Sequence, residues 1–269
     1  LHHIRLQGCR AMGCTHSPAV QPPSFADCTS FNEDYKLSVR IATGSFSRVY
    51  LASCRRDVGA FVAVKVQDIH DAERGLSQIR LSRLHQEHRL WRRVAGHPHI
   101  VALQDVYMDN RQCMFVMELL QRSLFEVMAS AARLDEYTVA SKVAEMLRGI
   151  EQLHRCGVIH CDIKPENFMC DSSGMVKLCD FGLACESAQA TSMLPHSAFG
   201  TTMFMAPEMV RHEHFDEKVD IWALGVTVYA WCYGCLPYSP GDFTPYDMEV
   251  GILECTPTFQ ASELLPGTA

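Results

Sequence analysis

Near residue 117 the apolar pattern of this 269-residue chain changes period, and few architectures can absorb that change. Before it, short runs rich in β-branched and apolar residues cover 37–41, 49–52, 61–66, 101–107 and 113–117, the length and composition of strands. Between the third and fourth runs lies a charged segment, 71–94, with Ile79, Leu84, Leu90 and Val94 at loosely helical spacing and Gly96-His97-Pro98 to stop it. Beyond residue 117 the spacing is mostly helical, most plainly over 124–132, 137–155 and 220–231. Strands followed by helices, rather than alternating with them, predict an α+β chain. Its parts are a sheet-rich lobe over 33–118 and a larger, mainly helical lobe over 119–269, with ligand in the cleft between them. An apolar content of 48% is enough to bury a substantial core in a chain of this length.

The formal net charge of −7 argues against a nucleic-acid partner, because polyanion readers need a basic surface. The 13 cysteines are scattered without regular spacing, which fits reduced thiols in a cytoplasmic compartment better than a disulfide framework. Cys232 and Cys235 form a C-x-x-C; they lack the second pair that a structural zinc site uses, and buried thiols are the other reading. His97-Pro98-His99 reads as a turn more readily than as a ligand pair. The run 221–241 carries no charge and is long enough to raise a transmembrane reading. Gly225, Gly234, Pro237 and Pro240 inside it suit a buried helix followed by a loop better.

Residues 1–32 mix Gly, Pro, Ser, Thr, Cys and His without period and read as a flexible tail. Within it, Met12-Gly13-Cys14-Thr15-His16-Ser17 fits a myristoylation pattern, with Gly13 as acceptor and Cys14 as the site of a second, palmitoyl anchor. This route to membrane association requires translation to begin at Met12; a chance match is the alternative.

Residues 160–167 read His-Cys-Asp-Ile-Lys-Pro-Glu-Asn, and Asp180-Phe181-Gly182 follows at the distance of a short hairpin. The first segment offers the Asp162 carboxylate to accept a proton, Lys164 to hold a phosphate and the Asn167 amide oxygen to hold a metal. The second offers another carboxylate, Asp180. Phosphoryl transfer from ATP needs this combination, and the two segments resemble the catalytic and magnesium loops of the eukaryotic protein kinases. The likeness runs from about residue 35 to about residue 259. It implies a bilobal fold: an N-terminal antiparallel five-stranded sheet with one helix, helix C, then a mainly helical lobe. It also implies protein substrates, a monomer, and ATP and Mg2+ as cofactors.

Carried over residue by residue, the resemblance gives Asp162 the acceptor proton, Lys164 the transferred phosphoryl charge, and Asn167 and Asp180 the magnesium ions. Lys164, with Gly200-Thr201 before Met205-Ala206-Pro207-Glu208, points to serine or threonine as acceptor, Thr201 bonding both Asp162 and Lys164. Ala42, Gly44, Ser47 and Val49 fall on the glycine-rich loop pattern, where only the middle glycine survives. Val62-Ala63-Val64-Lys65 matches the third-strand signature: Ala63 and Val49 would roof the adenine, and Lys65 would reach the α- and β-phosphates. A buried ammonium needs an anionic partner, for which Glu87 is the choice; Glu73, or a solvent-facing Glu87, are the competing readings. Met117-Glu118-Leu119-Leu120 resembles the hinge, whose backbone would bond the adenine edge, with Met117 beside the back of the pocket and Met169 beneath the base. Ordinary core packing is the other reading for both methionines. His160 and Phe181 would stack into an apolar column extended by Trp91, and Asp220 would brace the catalytic loop.

Two departures carry expectations. Cys161 stands where most of the family has the arginine that binds an activation-segment phosphate, so phosphorylation of Ser197 is expected to have little direct effect. Glu208 has no arginine after Arg211 to pair with, which predicts a C-terminally truncated domain, a lone buried glutamate and marginal folding. The Asp-Ile-Lys-Pro-Glu-Asn-Phe text is most similar to the calmodulin-dependent and calcium-dependent branch, although no EF-hand loop is present. The depleted glycine loop and Cys161 keep open a pseudokinase scaffold as the alternative; a small-molecule kinase on the same fold is a second.

Overall fold

The computed structural model describes residues 28–44, 47–71, 75–130, 135–189, 202–238 and 244–259. The predicted α+β, two-lobed architecture is what it shows. Strands β1 (Tyr35–Thr43), β2 (Ser47–Cys54) and β3 (Phe61–Asp68) lead to helix α1 (Gln78–Val94) and strands β4 (Leu103–Met108) and β5 (Gln112–Glu118). They form one antiparallel five-stranded sheet of order β1-β2-β3-β5-β4. Period-two alternation sets its register: Lys65 lies opposite Val49 and Phe115, and Ala63 opposite Leu51 and Met117, so all six side chains share a face.

Three boundaries differ from the sequence expectations, each for a packing reason. The tail expected over 1–32 overlaps a short helix, Cys28–Asp34, whose Phe31 is 1% exposed against Tyr35 and Tyr107 at ring distances of 5.5 and 5.3 Å. Met12–Ser17 lies outside the described residues. Helix α1 begins at Gln78 rather than near 71, because Ser77 caps it by accepting the Arg80 N–H at 3.3 Å, and His70–Asp71 pairs instead with Gly75–Leu76. Ile79 therefore sits in the first turn, 70% exposed, while Leu84, Leu90, Trp91 and Val94 face the core. Strand β4 starts at Leu103 and not Val101, whose N–H turns away to the Leu178 carbonyl at 3.0 Å.

The second lobe holds helices α2 (Leu124–Ser130), α3 (Glu136–Arg155), α4 (Pro207–Val210), α5 (Lys218–Tyr233) and α6 (Pro245–Glu254). Asp135 caps α3 by accepting the Thr138 N–H at 2.8 Å, and Gly234 ends α5 in the left-handed conformation, φ +71°, that glycine adopts without strain. Of the uncharged run at 221–241, residues 221–233 belong to α5 and 234–238 follow it outside any helix, while 239–241 lie outside the described residues. No helix among the described residues is long and apolar enough to cross a membrane.

Short strands β6 (Val158–Ile159), β7 (Phe168–Cys170), β8 (Val176–Leu178) and β9 (Cys185–Glu186) lie where the two lobes meet; β7 pairs with β8 and β9 with β6. One apolar core runs through both lobes, joining Leu84, Trp91 and Phe115 to Ile150, Leu153, Phe168, Phe181 and Trp231. Burial of each such large side chain stabilises the fold by about 1.5–3 kcal/mol, so the core holds the cleft walls in place. Glu208, expected as a lone buried charge, is only half-buried at the start of α4, which removes the premise for marginal folding.

Candidate active site

Strand β3 and helix α1 bring Lys65 and Glu87 together, Nζ to Oε1 at 2.7 Å. Asp180 joins them, its Oδ1 also 2.7 Å from Lys65 Nζ. Lys65 and Glu87 side chains are 8% and 3% exposed, whereas Asp180 is 45% exposed and so presents its carboxylate to the cleft. Burial alone would lower the Lys65 pKa, yet the Asp180 and Glu87 carboxylates raise it far above its ordinary value, and the ammonium persists. Desolvation pushes the Asp180 carboxyl up, but the Lys65 charge outweighs it and holds it down at about 2. Of the readings left open for the lysine's partner, the buried Glu87 is the one the geometry realises; residues 72–74 lie outside the described residues.

A second cluster forms around Asp162. Lys164 Nζ donates to both its carboxylate oxygens at 3.0 and 2.8 Å, and Asn167 Nδ2 donates to its carbonyl at 2.8 Å and its Oδ2 at 2.9 Å. The clusters are tied through the backbone: Cys179 N–H donates to the Asn167 carbonyl at 2.8 Å, and His160 Nε2 lies 3.1 Å from the Cys179 carbonyl. Thr201, assigned to bond Asp162 and Lys164, lies outside the described residues, as do Ser197 and Gly200.

The loop carrying Asp162 is held from below. Asp220, 1% exposed at the start of α5, accepts the His160 N–H through Oδ2 and the Cys161 N–H through Oδ1, both at 2.9 Å. His154 Nε2 lies 2.9 Å from the same Oδ2. Cys161 and Asp180 both have φ +62°, a left-handed backbone that costs a residue with a Cβ about 1–3 kcal/mol and persists only where its surroundings over-determine it. At Cys161 the Asp220 clamp is that surrounding.

The structure tests whether the implied cofactors fit. Asn167 uses its amide nitrogen on Asp162, which leaves its amide oxygen as an acceptor, and Asp180 spends Oδ1 on Lys65 and on the Gly182 N–H at 3.2 Å. An amide oxygen and a carboxylate are the hard donors magnesium takes, so this pair fits that ion. For nucleotide, Ala42 and Val49 face each other across β1 and β2, and the Gly44 N–H closes the turn on the Ser47 carbonyl at 2.8 Å. A Cβ on Gly44 would come 3.0 Å from Ser47 Oγ, so a side chain would fill the turn. Ala63 is buried beside Lys65, while Met117 and Met169 are partly buried against the main core. Leu120 is buried. The Glu118 N–H is already donated to the Ala102 carbonyl at 3.1 Å and its side chain binds Lys177 at 2.7 Å, so an adenine edge could use only its carbonyl.

The aromatic column is longer than expected. His160 meets Phe181 at 5.5 Å, Phe181 stacks on Trp91 at 5.4 Å, and Trp91 on Phe115 at 5.9 Å. Trp91 is pinned by donating Nε1–H to the Val101 carbonyl at 2.9 Å. Three contributors escaped sequence reasoning. Gln67 donates to Glu87 Oε2 at 2.8 Å; its place two residues after Lys65, on the same strand face, was the available signal. Gln86 donates to the Ala184 carbonyl at 2.8 Å, and Glu186 accepts from Arg89 and Arg93. These lie 93 to 98 residues apart in the chain, and no local pattern marks them.

A model of the protein kinase domain matches residues 35–261. Among similar proteins, the serine/threonine-protein kinase TIO of Arabidopsis thaliana is 33% identical over 206 residues, 77% of this chain and 15% of that protein. CBL-interacting protein kinase 12 of Oryza sativa subsp. japonica is 35% identical over 76% of this chain and 37% of its own length. The liver/testis isoform of the phosphorylase b kinase gamma catalytic chain of Mus musculus is 28% identical over 82% of this chain and 56% of its own. The chain therefore spans between about a seventh and little over half of these relatives.

Proposed function

The chain belongs to the protein kinase domain family, and on that premise we propose that it transfers the γ-phosphoryl group of Mg-ATP to Ser and Thr hydroxyls of protein substrates. The observation that carries this is the sharing of Lys65 between Glu87 and Asp180, both at 2.7 Å, beside the Asp162, Lys164 and Asn167 cluster. Glu87 fixes the position of a permanently charged Lys65, which binds phosphate oxygens of the nucleotide. Asp162 orients the acceptor hydroxyl and takes its proton, and Lys164 offsets the charge of the group in transit. Asn167 and Asp180 would hold magnesium, which would supply neutralisation of the phosphate charge there. The aromatic column adds packing to the hydrogen bonds and ion pairs that keep Asp180 and helix α1 in register.

The test is phosphorylation of a basic Ser/Thr peptide by the purified protein with ATP and magnesium. Turnover should fall by at least about 100-fold in Asp162→Asn. A thermal shift with nucleotide but no transfer would favour the scaffold alternative; neither binding nor transfer would sink the proposal. The same reading includes a monomer in the reducing cytoplasm, in keeping with 13 cysteines scattered without regular spacing, and kinship with the calcium-dependent branch, supported by the text of residues 162–168. Membrane attachment at Gly13 and Cys14 is part of it only if Met12 is the start.

A further inference from the structure

Cys161 and Cys185 have no role in the transfer chemistry, yet their Sγ atoms lie 3.6 Å apart. Cys185 opens β9 opposite Ile159, and Cys161 lies two residues beyond Ile159 on the segment that runs directly into Asp162. Antiparallel pairing thus brings two thiols together at the junction between the catalytic loop and the segment after Asp-Phe-Gly.

We propose that Cys161 and Cys185 are an oxidative modification site, closing to a reversible disulfide in the presence of a hydroperoxide and switching the active site off. One thiolate attacks the O–O bond to give a sulfenic acid, releasing hydroxide from hydrogen peroxide. The second thiol then displaces the hydroxyl from that sulfur as the S–S bond forms. Two thiols and one hydrogen peroxide become one disulfide and two waters, and the two electrons lost by sulfur reside on the former peroxide oxygens.

Closure must shorten the sulfur separation from 3.6 Å to about 2.05 Å. The strain falls on one side. Next to Cys185, Glu186 is held by Arg89 at 3.0 Å and Arg93 at 2.6 Å, and Cys185 itself packs among Ile159, Ala206, Met209 and Val219. Strand β9 is therefore anchored, whereas the Cys161 side rests on the Asp220 clamp at 2.9 Å and a left-handed backbone already under strain, so closure loads that clamp and shifts Asp162. A displacement of about 1 Å at a reacting group costs on the order of 100-fold in rate. The hydrogen bond with Cys185 and then burial hold the Cys161 thiol well above its ordinary pKa, which makes closure slow and suits sustained rather than brief oxidant exposure.

The loss of activity rests on the phosphotransfer reading; the disulfide does not, and one experiment separates them. The full chain is treated with hydrogen peroxide, alkylated, digested without reductant and mapped by mass spectrometry. In parallel, transfer from ATP is assayed before oxidation, after it and after dithiothreitol. The expected result is a Cys161–Cys185 cross-linked peptide two hydrogens lighter than its parts. Turnover should fall at least about tenfold and return with reductant. Cys185→Ala should give no such cross-link and keep its activity under peroxide. Failure to find that cross-link when other thiols are oxidised overturns the site, and full cross-linking with unchanged turnover overturns the switch. A protein inactive before oxidation that still cross-links refutes the phosphotransfer reading and upholds the disulfide. If Cys185→Ala does not fold, the wild-type peptide map still decides.

Discussion

Arg93 Nη2 lies 2.6 Å from Glu186 Oε1, so the helix that carries Glu87 is tied directly to the strand that follows Asp-Phe-Gly. Arg89 reaches the same oxygen at 3.0 Å, and Gln86 bonds the Ala184 carbonyl at 2.8 Å one turn earlier. Three contacts along one helix face therefore couple the placement of Glu87 to that of Asp180. Both guanidiniums are more than a third exposed, 45% and 38%, so the pairs weigh more in alignment than in stability.

Glu186→Gln should accordingly change the melting temperature little, since exposed pairs contribute about 0.2–1 kcal/mol each. Turnover should drop several-fold with little change in KM for peptide. Reversing the charges, Glu186→Arg with Arg89→Glu and Arg93→Glu, should restore much of the loss; a purely structural residue would not show that rescue.

Cys161 cannot bind an activation-segment phosphate, and the carboxylate of Glu186 already satisfies two cationic side chains of α1. Ser197→Ala should retain turnover within about tenfold of the unmodified protein, because a phosphate on this segment has no arginine beside Asp162 to bind. A larger loss in a peptide assay would refute this.

Removing Lys65 leaves Glu87 buried without its cationic partner, with only the neutral Gln67 amide still donating to it. Lys65→Met should destabilise the fold by about 3–5 kcal/mol, the cost of stranding a buried charge, and abolish detectable transfer. Glu87→Gln should cost less in denaturant unfolding, because Asp180 still neutralises the ammonium, yet it should lower turnover by misplacing Lys65.

His88 gives the stability a pH dependence. Burial first, and then the Arg92 and His85 charges, depress its pKa from 6.5 to about 4. The folded state therefore disfavours the proton that the unfolded chain accepts: stability is fully present above about pH 6.5 and is lost as pH falls towards 4. Urea titrations at pH 7 and 5 should show a loss on the order of 1 kcal/mol from this site, screening discounted. His88→Gln should flatten the profile over that interval.

Much of the fold was legible because its signals are local. Strands at 61–66 and 113–117 announce themselves by β-branched composition, and helix 137–155 by its apolar spacing; each lies within a residue or two of the element formed. The Cys28–Asp34 helix was not legible: seven residues with no acidic side chain in the first turn and no basic one in the last do not hold a helix unaided. It forms because Phe31 finds Tyr35 and Tyr107, and Tyr107 Oη donates to Asp34 Oδ2 at 2.6 Å, partners brought close only by the sheet. Helix α1 was read too long because charged residues at helical spacing do not reveal where Ser77 will cap.

The chain's own text determined the α+β order of elements and the identity of Lys65, Glu87, Asp162, Lys164, Asn167 and Asp180, since residue type and spacing along a strand or loop are properties of the covalent chain. Only tertiary packing decided that Lys65 is shared by two carboxylates, that the Glu118 amide is spent on Ala102, that Glu208 is half-buried, and that Cys161 meets Cys185. Those contacts join residues 16 to 115 positions apart, and the exposure of Glu208 follows from how α4 sits in the lobe. The physical reason is that desolvation, charge pairing and thiol contact depend on distances through space, which no spacing along the chain specifies.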